Sequence, residues 1–217
     1  YLSGSAAPNA TGAVGIDDGA SGNTVGGEGR ELANLIGGSH WRSGTVACGI
    51  MPRRAQGAVE GNQAGVILDG FGTTGNRIQG NYIGYRNVAV VLVDQFGNVS
   101  LCPQRDMSGL TGYSVLVRNG ASENIIGHAS DPALGNKIRY SLKEGVVVDG
   151  SGTTGNTIAN NDIDAARDGV VFQNGAFSNF LGAEGGNGNK ISAGEYGVEL
   201  AGGGTTDNTV VGNHISQ

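Results

Sequence analysis

Two short phrases of alternating polar and apolar residues recur along the chain. The first is Asn-x-aliphatic, found as Asn23-Thr24-Val25, Asn34-Leu35-Ile36, Asn76-Arg77-Ile78, Asn81-Tyr82-Ile83, Asn124-Ile125-Ile126 and Asn136-Lys137-Ile138. It returns as Asn156-Thr157-Ile158, Asn161-Asp162-Ile163, Asn179-Phe180-Leu181, Asn189-Lys190-Ile191, Asn208-Thr209-Val210 and Asn213-His214-Ile215. The copies form pairs with internal separations of 11, 5, 12, 5, 10 and 5 residues, so long and short units alternate. Before each pair stands a second phrase, Gly-Val-x-hydrophobic, at Gly65-Val66, Gly145-Val146, Gly169-Val170 and Gly197-Val198, with weaker forms at Gly15-Ile16 and Ser114-Val115. Asp18-Gly19, Asp69-Gly70, Asn119-Gly120, Asp149-Gly150 and Asn174-Gly175 follow it as sharp bends, because Asn, Asp and Gly accept positive φ at low cost.

Each unit thus holds three short β segments, and units in the second half start 31, 24 and 28 residues apart. Segments so short and so regularly interrupted pair with their counterparts one unit along rather than as hairpins. The pattern predicts an all-β fold, a parallel β-helix or β-solenoid of about six coils stacked at about 4.8 Å. Alternation places Val66, Leu68, Val115, Val117, Val146, Val148, Val170, Phe172, Val198 and Leu200 inside, joined by the aliphatic residue of each Asn-x-aliphatic copy. Asparagines at the bends are expected to hydrogen-bond from coil to coil. The whole chain reads as one domain over 1–217, with 1–14 an N-terminal extension and 39–64 and 94–112 loop insertions.

Composition narrows the field further. Gly supplies 42 of 217 residues, against a usual share of about 7%, which penalises long helices. A net charge of −6, from 13 basic and 19 acidic residues, lacks the basic clusters that nucleic acid needs. The longest apolar run, Val88 to Val93, is too short to insert into a membrane. The chain starts at Tyr1 and stops inside a repeat, so we expect either an excised part of a larger solenoid or ends buried by neighbours in a polymer. Cys48 and Cys102 fall in the two irregular stretches; they form a disulfide between loops, as suits a secreted or cell-surface chain, or stay as separate thiols. Asn9 and Asn98 open formal glycosylation sequons.

The phrases at 75–84 and 145–158 resemble the single-stranded right-handed parallel β-helix repeat of pectate-lyase-like and NosD-like proteins, over about 15–44 and 65–217. Such proteins include polysaccharide lyases, hydrolases and epimerases, tailspikes and surface proteins, so the resemblance implies a fold more than a chemistry. No Asp-Pro-His-Glu, Gly-His-Gly or Gly-Gly-x-Gly-x-Asp motif occurs. The candidates for the carbohydrate-active alternative are Asp162, Asp164, Arg167 and Asp168. Asp162 and Asp164 should project outward beside Ile163, where carboxylates could hold Ca²⁺ and an Arg could serve an acidic polysaccharide; the competing reading is a solvated surface. No other cofactor is expected, because His40, His128 and His214 lie in different coils without metal-ligand companions.

The Gly-Val sheet adds a second feature. Of its outward positions Ile67, Leu116, Val147, Val171 and Glu199, the first four are apolar, whereas those of the Asn-x-aliphatic strands are mostly polar or mixed. A stripe of this kind is normally covered, either by the chain's own insertions or by another subunit. The expectation from sequence is a non-enzymatic structural module of an extracellular or surface fibre, filament or adhesin, self-associating through open ends and this stripe. The alternatives are a carbohydrate-active β-helix and a glycan-binding, trimeric tailspike segment.

Overall fold

Strands of two to six residues, many of them followed by a residue in left-handed backbone, are too short to fold back on themselves. In the computed structural model, which describes residues 12–27, 33–36, 64–84, 87–93, 99–105, 112–183 and 188–216, they build three six-stranded parallel sheets of an all-β solenoid. One coil runs through Val146–Asp149, Thr157–Ala159 and Asp162–Ala165, and the next through Val170–Gln173, Phe180–Gly182 and Lys190–Ala193. Within these three sheets each strand pairs in parallel one coil along, with Val146 beside Val170, Ile158 beside Leu181 and Ile163 beside Ile191. The first sheet extends from Gly12–Ile16 to Val198–Ala201, the second from Thr24–Gly26 to Thr209–Val211, and the third from Leu35–Ile36 to His214–Ser216.

The core is a set of aliphatic stacks along the axis. Ile78, Ile126, Ile158 and Leu181 form one, and Ile83, Ile138, Ile163 and Ile191 another; all are buried. Burying each such side chain contributes about 1.5–3 kcal/mol relative to exposure. The glycine of the Gly-Val phrase has a packing cause. A Cβ on Gly169 would lie 2.2 Å from Ile191 Cγ2 and 2.5 Å from Gly197 O, so only Gly lets the corner close over the isoleucine of the third sheet.

Asparagine ladders tie the bends together. Asn124 donates its backbone N–H at 3.0 Å and its Nδ2 at 3.1 Å to Oδ1 of Asn156, and Nδ2 also reaches Thr73 O at 3.0 Å. The same arrangement repeats along Asn23, Asn76, Asn124, Asn156, Asn179 and Asn208, and along Asn34, Asn81, Asn136, Asn161, Asn189 and Asn213. Buried side-chain amides are thereby satisfied, as burial requires.

Long and short units bend differently. Asp18, Asn119 and Asn174 themselves adopt positive φ, whereas after Asp69 and Asp149 it is Gly70, Gly72, Gly150 and Gly152 that do so. In the latter coils Thr73 and Thr153 are buried and donate Oγ1 to Asp69 O and Asp149 O at 2.8 and 2.7 Å. Thr73 and Thr153 therefore build bends. The 12-residue separation of Asn124 and Asn136 holds a short 3-10 turn, Pro132–Leu134, capped by Asp131, whose Oδ1 accepts from Ala133 N at 2.9 Å.

The insertions differ from expectation at their edges. Asn87–Val93 and Val99–Arg105 pair antiparallel as a hairpin, so the second insertion starts before residue 94 and takes in the apolar run Val88 to Val93. Ala64 belongs to the first sheet rather than to the preceding loop. Cys48, the sequons at Asn9 and Asn98, and His40 lie outside the described residues. The expected pairing of Cys48 with Cys102 therefore lies outside the described residues as well. Among the described residues no helix is long and apolar enough to cross a membrane.

Candidate functional site

Stacking the phrases Lys137-Ile138-Arg139, Asp162-Ile163-Asp164 and Lys190-Ile191-Ser192 in register puts unlike charges side by side on the outer face of the third sheet. Lys137 stands beside Asp162, Arg139 beside Asp164, and Asp162 beside Lys190. The Arg139 guanidinium contacts Asp162 Oδ2 at 2.6 Å through Nη2, lies 3.8 Å from Asp164 Oδ2 through Nε, and donates from Nη1 to Asp162 O at 2.7 Å. These groups, with Lys190, Ser192, His214 and Ser216, line a shallow cleft of about 210 Å³. Asp162 and Asp164 thus project outward as the sequence implies, but they share an arginine the sequence reading did not single out. Counting one coil back from Asp164 identifies it.

Arg167 and Asp168 sit elsewhere, at the corner between the third and first sheets. The Arg167 guanidinium lies 3.1 Å from Glu144 Oε1, 3.3 Å from Glu195 Oε2 and 3.5 Å from Asp168 Oδ2. Its hydrogen bond to Glu195, followed by the charge of Glu144, holds its pKa above the ordinary guanidinium value. Asp168 is buried and accepts from Tyr196 N through Oδ1 at 3.0 Å. Glu144, one coil back, is also buried and was not anticipated; it precedes Gly145 as Asp168 precedes Gly169. The four candidate residues are therefore two clusters. One is an exposed zwitterionic face, and the other is a corner clasp joining three coils through one guanidinium.

Among the described residues no group of three or more His, Cys, Asp or Glu side chains could hold a metal ion. His128 accepts through Nδ1 from Asp131 N at 2.9 Å within its own loop, and His214 lines the cleft.

The apolar stripe is buried within the single chain. Ile67, Leu116, Val147 and Val171 are at most 6% exposed and form a second cluster with Ala64, against which Tyr113 packs. It is a small outer core on the first sheet rather than an open face.

Among the described residues, apolar side chains are also exposed on the last coil. Leu200, Val210 and Ile215 are 51%, 40% and 48% exposed, while Phe172, Leu181 and Ile191 directly beneath them are 0%, 0% and 1% exposed.

The arrangement defines the chain as an all-β solenoid of three parallel sheets carrying a charged outer face. No protein-family model matches its sequence, and no curated protein and no solved structure matches it.

Proposed function

We propose that the protein is a non-enzymatic structural β-solenoid module of an extracellular or surface fibre, filament or adhesin, of the pectate-lyase-like and NosD-like repeat kind. It joins its neighbours end-on. The observation that carries this reading is the regularity of the stack, in which two asparagine ladders and an aliphatic core run from coil to coil through all three sheets. The stripe contributes to stability rather than to assembly, since its own chain already covers it. Light scattering with negative-stain microscopy on material in which neighbouring segments are retained tests the reading. Rods continuing through this module are expected; compact particles that cleave an acidic polysaccharide would overturn it.

A second reading, a carbohydrate-active or glycan-binding β-helix, draws on the cleft around Arg139, Asp162, Asp164 and Lys190. Cations and carboxylates on one ribbon offer complementary charge to an acidic polysaccharide. Against catalysis stands the engagement of both carboxylates with one arginine, which keeps them as ion-pair partners.

A further inference from the structure

The bend between the first and second sheets presents a bare aromatic ring. Coils with the short Asn-to-Asn spacing carry one residue more at this bend: seven positions separate Asp69 from Asn76 and Asp149 from Asn156, but six separate Arg118 from Asn124 and Gln173 from Asn179. The extra residue lies down on the glycine of the next coil. Ser151 does so on Gly175, where a Cβ would stand 3.5 Å from Ser151 Cα. In the coil of Asp69 the extra residue is Phe71. A Cβ on Gly120 would stand 3.0, 2.9 and 2.9 Å from Cγ, Cδ1 and Cε1 of Phe71, three consecutive ring atoms. A point equidistant from three atoms of a flat hexagon lies over its centre, so the ring rests face down on Gly120. Its tip reaches one coil further, since a Cβ on Gly152 would meet Cζ at 3.1 Å and Cε1 at 3.3 Å. Gly120 is buried beneath the ring, yet Phe71 itself is 79% exposed. Backbone holds one face of the ring and leaves the other bare.

The polar groups of the same bend are held in fixed pairs. Asp69 accepts from Arg118 Nε at 2.8 Å through Oδ2 and from Asn119 Nδ2 at 2.7 Å through Oδ1, and Asp149 Oδ1 accepts from Asn174 Nδ2 at 2.6 Å. Asn119 and Asn174 are exposed. We propose that this bend is a binding site for a neutral carbohydrate, in which one sugar ring stacks its C–H face on the open face of Phe71 and turns its hydroxyls to the Asp69–Asn119 pair, the chain of sugars continuing past Asp149–Asn174. An aromatic face is negative and draws positively polarised C–H groups, and a carboxylate beside an amide offers the acceptor and the donor that a hydroxyl uses. Other occupants fit poorly. A protein partner covers about 800 Å² on each side, far more than one ring among polar neighbours supplies. The carboxylates of Asp18, Asp69, Glu123 and Asp149 outnumber Arg118 here, which repels a polyanion. The chain's own insertions leave the coil at another corner, between the third and first sheets. The site is distinct from the charged cleft of the third sheet and does not rest on the structural-module reading.

Cellohexaose, maltohexaose and mannohexaose, each titrated into the full chain, test the proposal by nuclear magnetic resonance. At least one should shift the amides of Gly70, Gly120 and Gly152 and have its own C–H protons moved upfield by the ring of Phe71. Phe71→Ala should weaken that binding by about tenfold, as loss of a stacking partner does. Phe71→Leu, which keeps an apolar side chain over the glycines and removes the ring, should weaken it likewise, and Phe71→Trp should keep or tighten it. Asn119→Gly, which removes the amide where the backbone already holds φ at 55°, should weaken it by about threefold or more. Circular dichroism checks that each variant is folded, and the leucine variant decides the matter should the alanine one misfold. No shift with any of the three sugars overturns the proposal, as do shifts confined to the cleft of Arg139 and Asp162, or binding that Phe71→Leu leaves unchanged. Shifts at these glycines that grow with protein concentration in the absence of sugar would name a second copy as the occupant and overturn it too.

Discussion

The backbone N–H and the side-chain amide of Asn156 both donate to one atom, Oδ1 of Asn179, at 3.0 Å each. Asn179 in turn uses its Nδ2 on Thr153 O at 3.1 Å. One side chain thus satisfies two buried donors of one coil and a carbonyl of the same coil, and the solenoid repeats this at both bends.

Removing that atom should therefore cost more than one hydrogen bond. Asn179→Ala orphans the buried backbone N–H of Asn156, at about 1–3 kcal/mol, and takes one bond each from Asn156 Nδ2, which keeps Ala121 O and Thr154 O, and from Thr153 O, which keeps Phe177 N–H. We expect a loss of about 3 kcal/mol in urea denaturation. Asn23→Ala, at the exposed first step of the same ladder, should cost about 1 kcal/mol or less. Equal losses would show that the ladder's burial is not what gives it its worth.

The glycine of the Gly-Val phrase makes a sharper case. Gly169→Ala drives a methyl against Ile191 Cγ2 and Gly197 O, and overpacking of this kind costs about 1–3 kcal/mol. Gly203→Ala, where a Cβ meets nothing within 4 Å, should be neutral to stabilising by about 0.4–1 kcal/mol. Comparing the two denaturation midpoints checks whether close approach, rather than glycine content itself, dictates the phrase.

The outer stripe yields a prediction of opposite sense to that of an interface. Val147 is buried beside Leu116 and Val171 within one chain, so Val147→Lys forces a charge into an apolar cluster, at several kcal/mol unless the side chain escapes. Thermal denaturation should show a large drop at every protein concentration, with particle size unchanged while the chain is folded. A variant of unaltered stability with altered size would make the stripe an assembly surface.

Much of the fold was legible because its determinants are local and repeated. Asn-x-aliphatic fixes a bend and an inward residue within three positions, and twelve copies reveal the period without any knowledge of what packs where. The first-sheet core of Val146, Val148, Val170 and Phe172 follows from alternation alone. What escaped depends on neighbours one coil away. Arg139 and Asp162 are 23 residues apart in sequence, and Glu144 and Arg167 likewise; such pairs emerge only when unequal coils are laid in register. The hairpin of Asn87–Val93 with Val99–Arg105 interrupts the period, and a strand without the repeat phrase gave no cue to its partner. Grouping Asp162 with Asp168 by sequence proximity failed for a related reason: the corner at Ala166 turns the chain from an outer sheet face to a buried bend.

The charged face gives the last test. Asp162 and Asp164 are partly exposed partners of Arg139, and exposed pairs of this kind contribute about 1 kcal/mol or less. Asp162→Asn together with Asp164→Asn should therefore lower stability by no more than about 1 kcal/mol, leave the fold intact by circular dichroism and leave end-on joining unaffected. Incubation of the unaltered protein with a polyuronate should yield no unsaturated or reducing ends. Should it yield them, and should the double variant lose them while keeping its fold, the two carboxylates are catalytic and the structural reading of this face fails. Should the polymer be bound without cleavage, and released as salt is raised through the range that screens surface charge, the face is a glycan-binding one on a structural rod.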